Sequence, residues 1–190
     1  MTVLAQTTFD APVDVLNYAL TLEHLEFAFY RDGLDEFAAE DFEAAGFDPA
    51  VFEYLGLIRD HERDHVETLQ AVIGDLGGEA VEEAEYDFGY ADVAGFLVVA
   101  QALENTGVSA YQGAAQFLIE EDALLTAART IHGVEARHAA DLNGLNGASP
   151  FPDAVNPTLT PDEVLAIAGP FIVSGVGAEG TPEAEGTPEG

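Results

Sequence analysis

The chain has no cysteine, no lysine and no tryptophan, and it sets five arginines against 36 acidic residues, for a formal charge of −31 over 190 residues. Without cysteine there are no disulfides, thiolate metal sites or thiol nucleophiles, and the redox compartment leaves no mark. Scarcity of cations excludes the electrostatic footprint that holds DNA, RNA or anionic lipid, so neither nucleic acid nor a membrane surface is an expected partner. Long apolar runs are also missing. The longest uncharged stretches, Asn105–Ile119 and Val164–Ala178, contain glycine and polar residues and fall short of the roughly 18 apolar positions a bilayer span requires. Met1–Asp10 has neither a basic region nor an apolar run, so no secretory signal and a cytoplasmic setting are expected.

What is present is a 48% hydrophobic composition, enough for a sizeable core. The acids are spread along the chain, not gathered in one block. That composition resembles proteins adapted to molar salt, where screening over about 3 Å makes dense negative charge tolerable. The competing reading is an acidic cation buffer.

Four segments carry an apolar stripe at helical spacing. The first runs through Leu16, Leu20, Glu23, Phe27, Tyr30, Leu34 and Phe37. The second starts at Asp48-Pro49, runs through Val51, Leu55, Ile58, Glu62, His65, Leu69, Val72 and Leu76, and stops at Gly77-Gly78. The third, capped by Asp92, runs from Val93 through Leu97, Ala100, Glu104, Gly107, Tyr111 and Ala114 to Leu118. The fourth is Leu124, Ala128, Ile131, Glu135, His138 and Leu142, with Asn143-Gly144 at its end. Rods of this length joined by short links predict an all-α, antiparallel four-helix bundle over 10–145. The link Glu79–Tyr90 crosses between helices two and three. A C-terminal extension over 146–178 carries a capping box at Thr160–Glu163, hence a short fifth helix over about 161–168. Two copies of EGTPE form a low-complexity acidic tail over 179–190.

Each stripe holds a glutamate where an apolar residue belongs, and two also hold a histidine. Buried carboxylates are costly unless paired or bound to metal. Glu62-x-x-His65 and Glu135-x-x-His138 place carboxylate and imidazole on one helix face, and Glu23 and Glu104 add one carboxylate from each remaining helix. Four carboxylates and two neutral imidazoles sum to −4, which two divalent cations cancel. Hard oxygen donors with imidazole suit iron first and manganese second. A lone Glu-x-x-His is a weak signal; the strength lies in the order Glu, Glu-x-x-His, Glu, Glu-x-x-His, one unit per helix. The chain is also internally repeated. Leu22-Glu23 with Tyr30 parallels Leu103-Glu104 with Tyr111, and Ile58–Leu69 parallels Ile131–Leu142.

With these residues the chain resembles the ferritin-like superfamily, and most closely the ferritin-like domain family that includes desiccation-related proteins. LNYALTLEHLEFAFY at 16–30 and ALENTGVSAYQGA at 102–114 are similar to that family's first and third helices, and the resemblance covers about residues 10–172. It implies Glu23, Glu62, His65, Glu104, Glu135 and His138 as metal ligands. The activity it implies is less definite than the fold: relatives store iron, reduce peroxide or disproportionate it. The expected reading is a dinuclear oxidoreductase acting on O2 or peroxide, with copies of the same chain as partners. The alternative is a stress, structural or iron-storage protein in which metal staples the bundle.

Other residues carry blander expectations. Glu26 reads as a solvated neighbour pairing with Arg31 rather than as an extra ligand. His24 reads as exposed, and His61 and His132 as surface residues with an outer role open to them. Tyr30 and Tyr111, the candidate catalytic tyrosines, read either as hydrogen-bond donors or electron relays at the ligand carboxylates, or as core aromatics with a wet tip. Asp60, Asp64, Asp141 and Arg137 are candidates for orienting the histidines. The apolar segment Leu165–Val176 is expected to pack on the bundle.

Overall fold

In the computed structural model, which describes residues 9–174, Pro12 opens the first long helix, α1 (Pro12–Glu36). The Asp14 carboxylate accepts the Ala11 backbone N–H at 2.9 Å and so satisfies a donor the helix leaves free. α1 is buried on nearly every side between Val15 and Tyr30, as its almost continuous apolar sequence requires. A short helix unforeseen in the sequence, α2 (Ala39–Ala44), drops Phe42 into the core. The Asp48 carboxylate then accepts the Ala50 N–H at 2.9 Å and starts α3 (Ala50–Asp75). The link that follows contains β1 (Glu85–Tyr86) and is fastened to α1. Asn17 bonds to both Glu79 and Val81, and His24 Nε2 lies 3.2 Å from the Val81 carbonyl.

Asp92 caps α4 (Val93–Ala114), accepting the Gly95 N–H at 2.8 Å as the sequence predicts. A 3₁₀ turn over Ala115–Leu118 leads to α5 (Asp122–Leu145). The sequence placed the end of α5 at Asn143-Gly144, but the helix runs on to Leu145. Its stop is Gly147 in the left-handed region, with the Ala148 N–H bonding the Asn143 carbonyl. α3 ends by the same device, with Gly77 left-handed and the Gly78 N–H on the Ile73 carbonyl. The internal repeat thus extends to the caps.

The principal packing is α1 against α3 and α4 against α5, with α1 facing α4 between the two pairs. The result is the all-α ferritin-like bundle expected. α4 and its 3₁₀ turn are, by length and composition, apolar enough to cross a membrane, but most of the segment is buried in the bundle. The sequence reading gave this segment its full length but not its apolar character, because Glu104 interrupts the run.

α6 (Pro161–Ala168) forms as predicted, with Thr160 and Glu163 bonded reciprocally and Val164 and Ala168 buried against the bundle. Leu159 donates to the Ser109 carbonyl at 3.2 Å, and Gly113 permits that approach, since a Cβ there would strike the Leu159 carbonyl. The chain then returns as β2 (Ile172–Ser174), antiparallel to β1, a pairing not foreseen. The part of the expected packed segment up to Ser174 does lie on the bundle; its end and the EGTPE tail lie outside the described residues.

Two apolar clusters flank the middle of the bundle. One is rich in aromatics, with Phe29 stacked on Phe96 at 4.7 Å and Tyr30 and Phe42 fully buried. The other is aliphatic, built from Leu16, Leu20, Val66, Leu69, Ile73 and Ile131 around Tyr111.

Candidate metal centre

Between those clusters lie Glu23, Glu62, His65, Glu104, Glu135 and His138, all buried, with the four glutamates wholly inaccessible. Their donor atoms form two groups, Glu23, Glu62, His65 and Glu135 in one and Glu62, Glu104, Glu135 and His138 in the other. Within each group every donor atom lies within 4.8 Å of the others. Glu62 and Glu135 belong to both. His65 Nδ1 is 3.1 Å from Glu23 Oε2, 3.0 Å from Glu62 Oε2 and 3.0 Å from Glu135 Oε1. His138 Nδ1 is 2.9 Å from Glu62 Oε1, 3.4 Å from Glu104 Oε2 and 4.0 Å from Glu135 Oε2. Each shared glutamate therefore divides its two oxygens between the two histidines.

One ring N–H cannot satisfy three carboxylates at once. Glu62 Oε1, Glu104 Oε2 and both oxygens of Glu135 are buried without a hydrogen-bond donor. Such an excess of converging oxygen acceptors, with one imidazole nitrogen per group, is a donor set that fits a pair of hard divalent cations. In the metal-free protein protons take their place. Burial pushes Glu62 up to about 7 against the pull of His138 and His65, and lifts Glu135 well above the usual carboxylate range, the neighbouring glutamates adding to it. Burial pulls His138 down, but Glu104 and Glu62 outweigh it and bring it to about 9; His65 is raised further by Glu135, Glu23 and Glu62.

Tyr30 and Tyr111 are hydrogen-bond donors to the centre, each to the opposite helix. The Tyr30 hydroxyl donates to Glu104 Oε1 at 2.7 Å, and the Tyr111 hydroxyl donates to Glu23 Oε1. Each tyrosine lies seven residues beyond its own helix's glutamate. The reciprocal exchange therefore requires α1 and α4 to run in opposite directions, as a twofold repeat of helix pairs produces. Burial, reinforced by the acceptor glutamates, raises both hydroxyls well above the usual range and keeps them protonated.

Two expectations are corrected. Glu26 does not pair with Arg31, which is engaged by Asp32 and Glu83. It is buried beside the centre with Oε2 unpartnered, and Oε1 sits 2.9 Å from where a Cβ on Gly107 would stand. Gly107 is the repeat counterpart of Glu26, so the missing side chain in the second pair makes room for the acid of the first. The readable signal was the scarcity of polar residues over 16–30, where only Asn17, Thr21, Glu23, His24 and Glu26 interrupt the apolar run. His24 is buried, not exposed, and its pKa is lowered by burial. His61 is exposed, as expected, and takes the outer role left open to it: its Nδ1 lies 3.0 Å from His138 Nε2, the two rings nearly coplanar at 9°, and it steadies that ring from the side away from the carboxylates. Asp60 pairs with Arg59 and Arg63, and Asp64 with Arg63. Among the described residues neither they nor Asp141 and Arg137 hydrogen-bond to His65 or His138.

A model of the ferritin-like domain matches residues 11–148. The chain is also similar to protein rds1 of Schizosaccharomyces pombe, 29% identical over 160 residues, a stretch that covers 83% of this chain and 38% of that protein. The chain thus spans well under half the length of this curated relative.

Proposed function

The chain belongs to the ferritin-like domain family, and on that premise we propose that it is a dinuclear metal protein, iron first and manganese second, that acts on O2 or peroxide. The observation that carries the reading is the pair of donor groups sharing Glu62 and Glu135, with buried carboxylate oxygens that no protein donor serves. Glu23 and His65 would hold one ion, Glu104 and His138 the other, and Glu62 and Glu135 both. Two redox-active ions so held supply electrons to an O–O bond. The chain's own residues do the rest. Tyr111 and Tyr30 orient Glu23 and Glu104 through their hydroxyls. His61 fixes the ring of His138. The flanking apolar clusters exclude water and strengthen every interaction among the charges.

The test is elemental analysis of the purified protein, followed by Fe(II) oxidation and peroxide turnover on the same sample. Two ions per chain with turnover support the proposal; bound metal with no turnover favours the second reading, a stress or storage protein in which metal neutralises the buried acids and fastens the bundle. That reading draws on the same unpartnered carboxylates, whose mutual repulsion a bound cation removes. Self-association belongs to it too, and particle size distinguishes a cage from a smaller oligomer. The spread of acids supports adaptation to high salt, with a cytoplasmic setting; stability unchanged between molar salt and dilute buffer would contradict it.

A further inference from the structure

The two reciprocal tyrosines sit in opposite surroundings. Tyr30 is wholly buried, edge-on to Phe29 at 5.2 Å and to Phe96 at 6.2 Å, and Phe88 and Tyr90 close around Phe29. Tyr111 is 8% exposed and forms part of the wall of two cavities. The outer one is an open pocket of about 410 Å³, rimmed by Gln112, Gln116, Arg129 and His132. The inner one is a narrow space of about 30 Å³ lined by Leu16, Leu69, Ile131 and other apolar residues. Tyr111, Ala115 and Ala128 are common to both. The inner space exceeds the ~10–15 Å³ that one water occupies, but its lining, apolar apart from Thr68 and Tyr111, offers water few partners, which is the character of a site for an apolar gas.

The outer pocket differs in chemistry from three other open pockets on the described residues. No aspartate or glutamate lines it, although the chain carries 36 of them. The open pockets elsewhere on the described residues include Asp153, or Asp41 and Asp92, or Asp32, Glu36 and Asp87. His132 Nε2, in the wall of the outer pocket, is buried and unpartnered.

The geometry points to a one-sided entrance: dioxygen, a small apolar oxidant, enters the pocket between Gln116 and His132. It passes the Ala115–Ala128 gap into the apolar space and reaches the centre at Glu23, where Tyr111 is bonded; the Tyr30 end stays closed. This inference rests on the proposed oxidant chemistry, but its first test does not. Xenon, a stand-in for dioxygen, is titrated into metal-free protein while methyl resonances are followed by NMR. The expected result is saturable shifts at Leu69 and Ile131, none at Leu34 and Leu55 in the aromatic cluster, and loss of the shifts in Ala128→Phe. The absence of shifts at Leu69 and Ile131 overturns the entrance whether or not the protein is an enzyme.

The second test uses the metal-loaded protein. Ala128→Phe narrows the shared wall, and Gln116→Trp fills the exposed rim without touching the core. Both should keep the native metal content while the second-order rate with O2 falls about tenfold; the rate with hydrogen peroxide, a polar oxidant that the apolar space does not favour, is measured separately and should change less. Native O2 rates in both variants overturn the entrance. A native protein that binds xenon and metal but turns over neither oxidant overturns the proposed function alone.

Discussion

In the first helix pair, α1 with α3, the position one turn beyond the terminal glutamate is Glu26; in the second, α4 with α5, it is Gly107. The first pair's histidine, His65, has three carboxylate oxygens within 3.1 Å of Nδ1, whereas the second's, His138, has one at 2.9 Å, the others at 3.4 and 4.0 Å, and is met on its other nitrogen by His61. The tyrosine of α1 is sealed among phenylalanines and that of α4 borders two cavities. A repeat that keeps these six residues and the C-terminal caps of α3 and α5 while its surroundings diverge gives two donor groups alike in residue type but not in environment. Charge, support and access have been distributed unequally between them.

The largest effect expected separates shared from terminal glutamates. Glu62→Ala or Glu135→Ala should abolish binding of both ions, a loss beyond the roughly 10–100-fold that removing a ligand's supporting contact costs. Glu23→Ala or Glu104→Ala should leave one ion bound, as read by titration calorimetry with Mn(II). Equal losses in all four variants would break the division into two groups.

Next comes pH. His138 rises from the ordinary 6.5 to about 9 on folding without metal, so the stabilisation from its carboxylate neighbours is complete below about 6.5 and is lost as pH climbs through about 9. Glu62 rises from 4.5 to about 7; above 4.5 the unfolded chain gives up this proton more readily, and folding is increasingly disfavoured until about 7. Both act in one direction. The Tm of the metal-free protein should fall between pH 5 and 9 in scanning calorimetry, while Mn(II) affinity, which improves as the competing protons leave, should rise.

Gly107→Ala tests the unequal charge. Its Cβ must displace the Glu26 carboxyl, at a cost of about 1–3 kcal/mol in denaturant unfolding. In a Glu26→Ala background the same change should instead stabilise by up to about 1 kcal/mol, the ordinary gain of alanine over glycine in a helix. The same sign in both backgrounds would remove Glu26 from the comparison. The smallest effect distinguishes the tyrosines. Tyr30→Phe leaves Glu104 without its donor in a closed site and should cost about 1.5–3 kcal/mol. Tyr111 also borders the open outer pocket, from which water can replace the lost hydroxyl in Tyr111→Phe, so its cost should be about 1 kcal/mol smaller. Equal costs would mean that both ends are equally closed.

The long helices were legible because their stripes are periodic and their caps local: Asp92, the Thr160–Glu163 box and Gly77 announce themselves within four residues. The six clustered residues were legible for a related reason, since a glutamate in an apolar stripe is an energetic anomaly that demands a partner. What escaped depends on contacts between distant segments. The β1–β2 pairing joins residues 85–86 to 172–174, and His61 meets His138 across 77 positions. Glu26 and His24 were misplaced because a single stripe was assigned to α1, which is buried all round; a stripe marks the core face only of a helix that has a solvent face.

The central claim is that two cations share Glu62 and Glu135. Anomalous diffraction from crystals grown with Mn(II) tests it most directly. The account predicts two peaks per chain, one among Glu23, His65, Glu62 and Glu135 and one among Glu104, His138, Glu62 and Glu135. A single peak, or metal bound only at surface carboxylates, would contradict it.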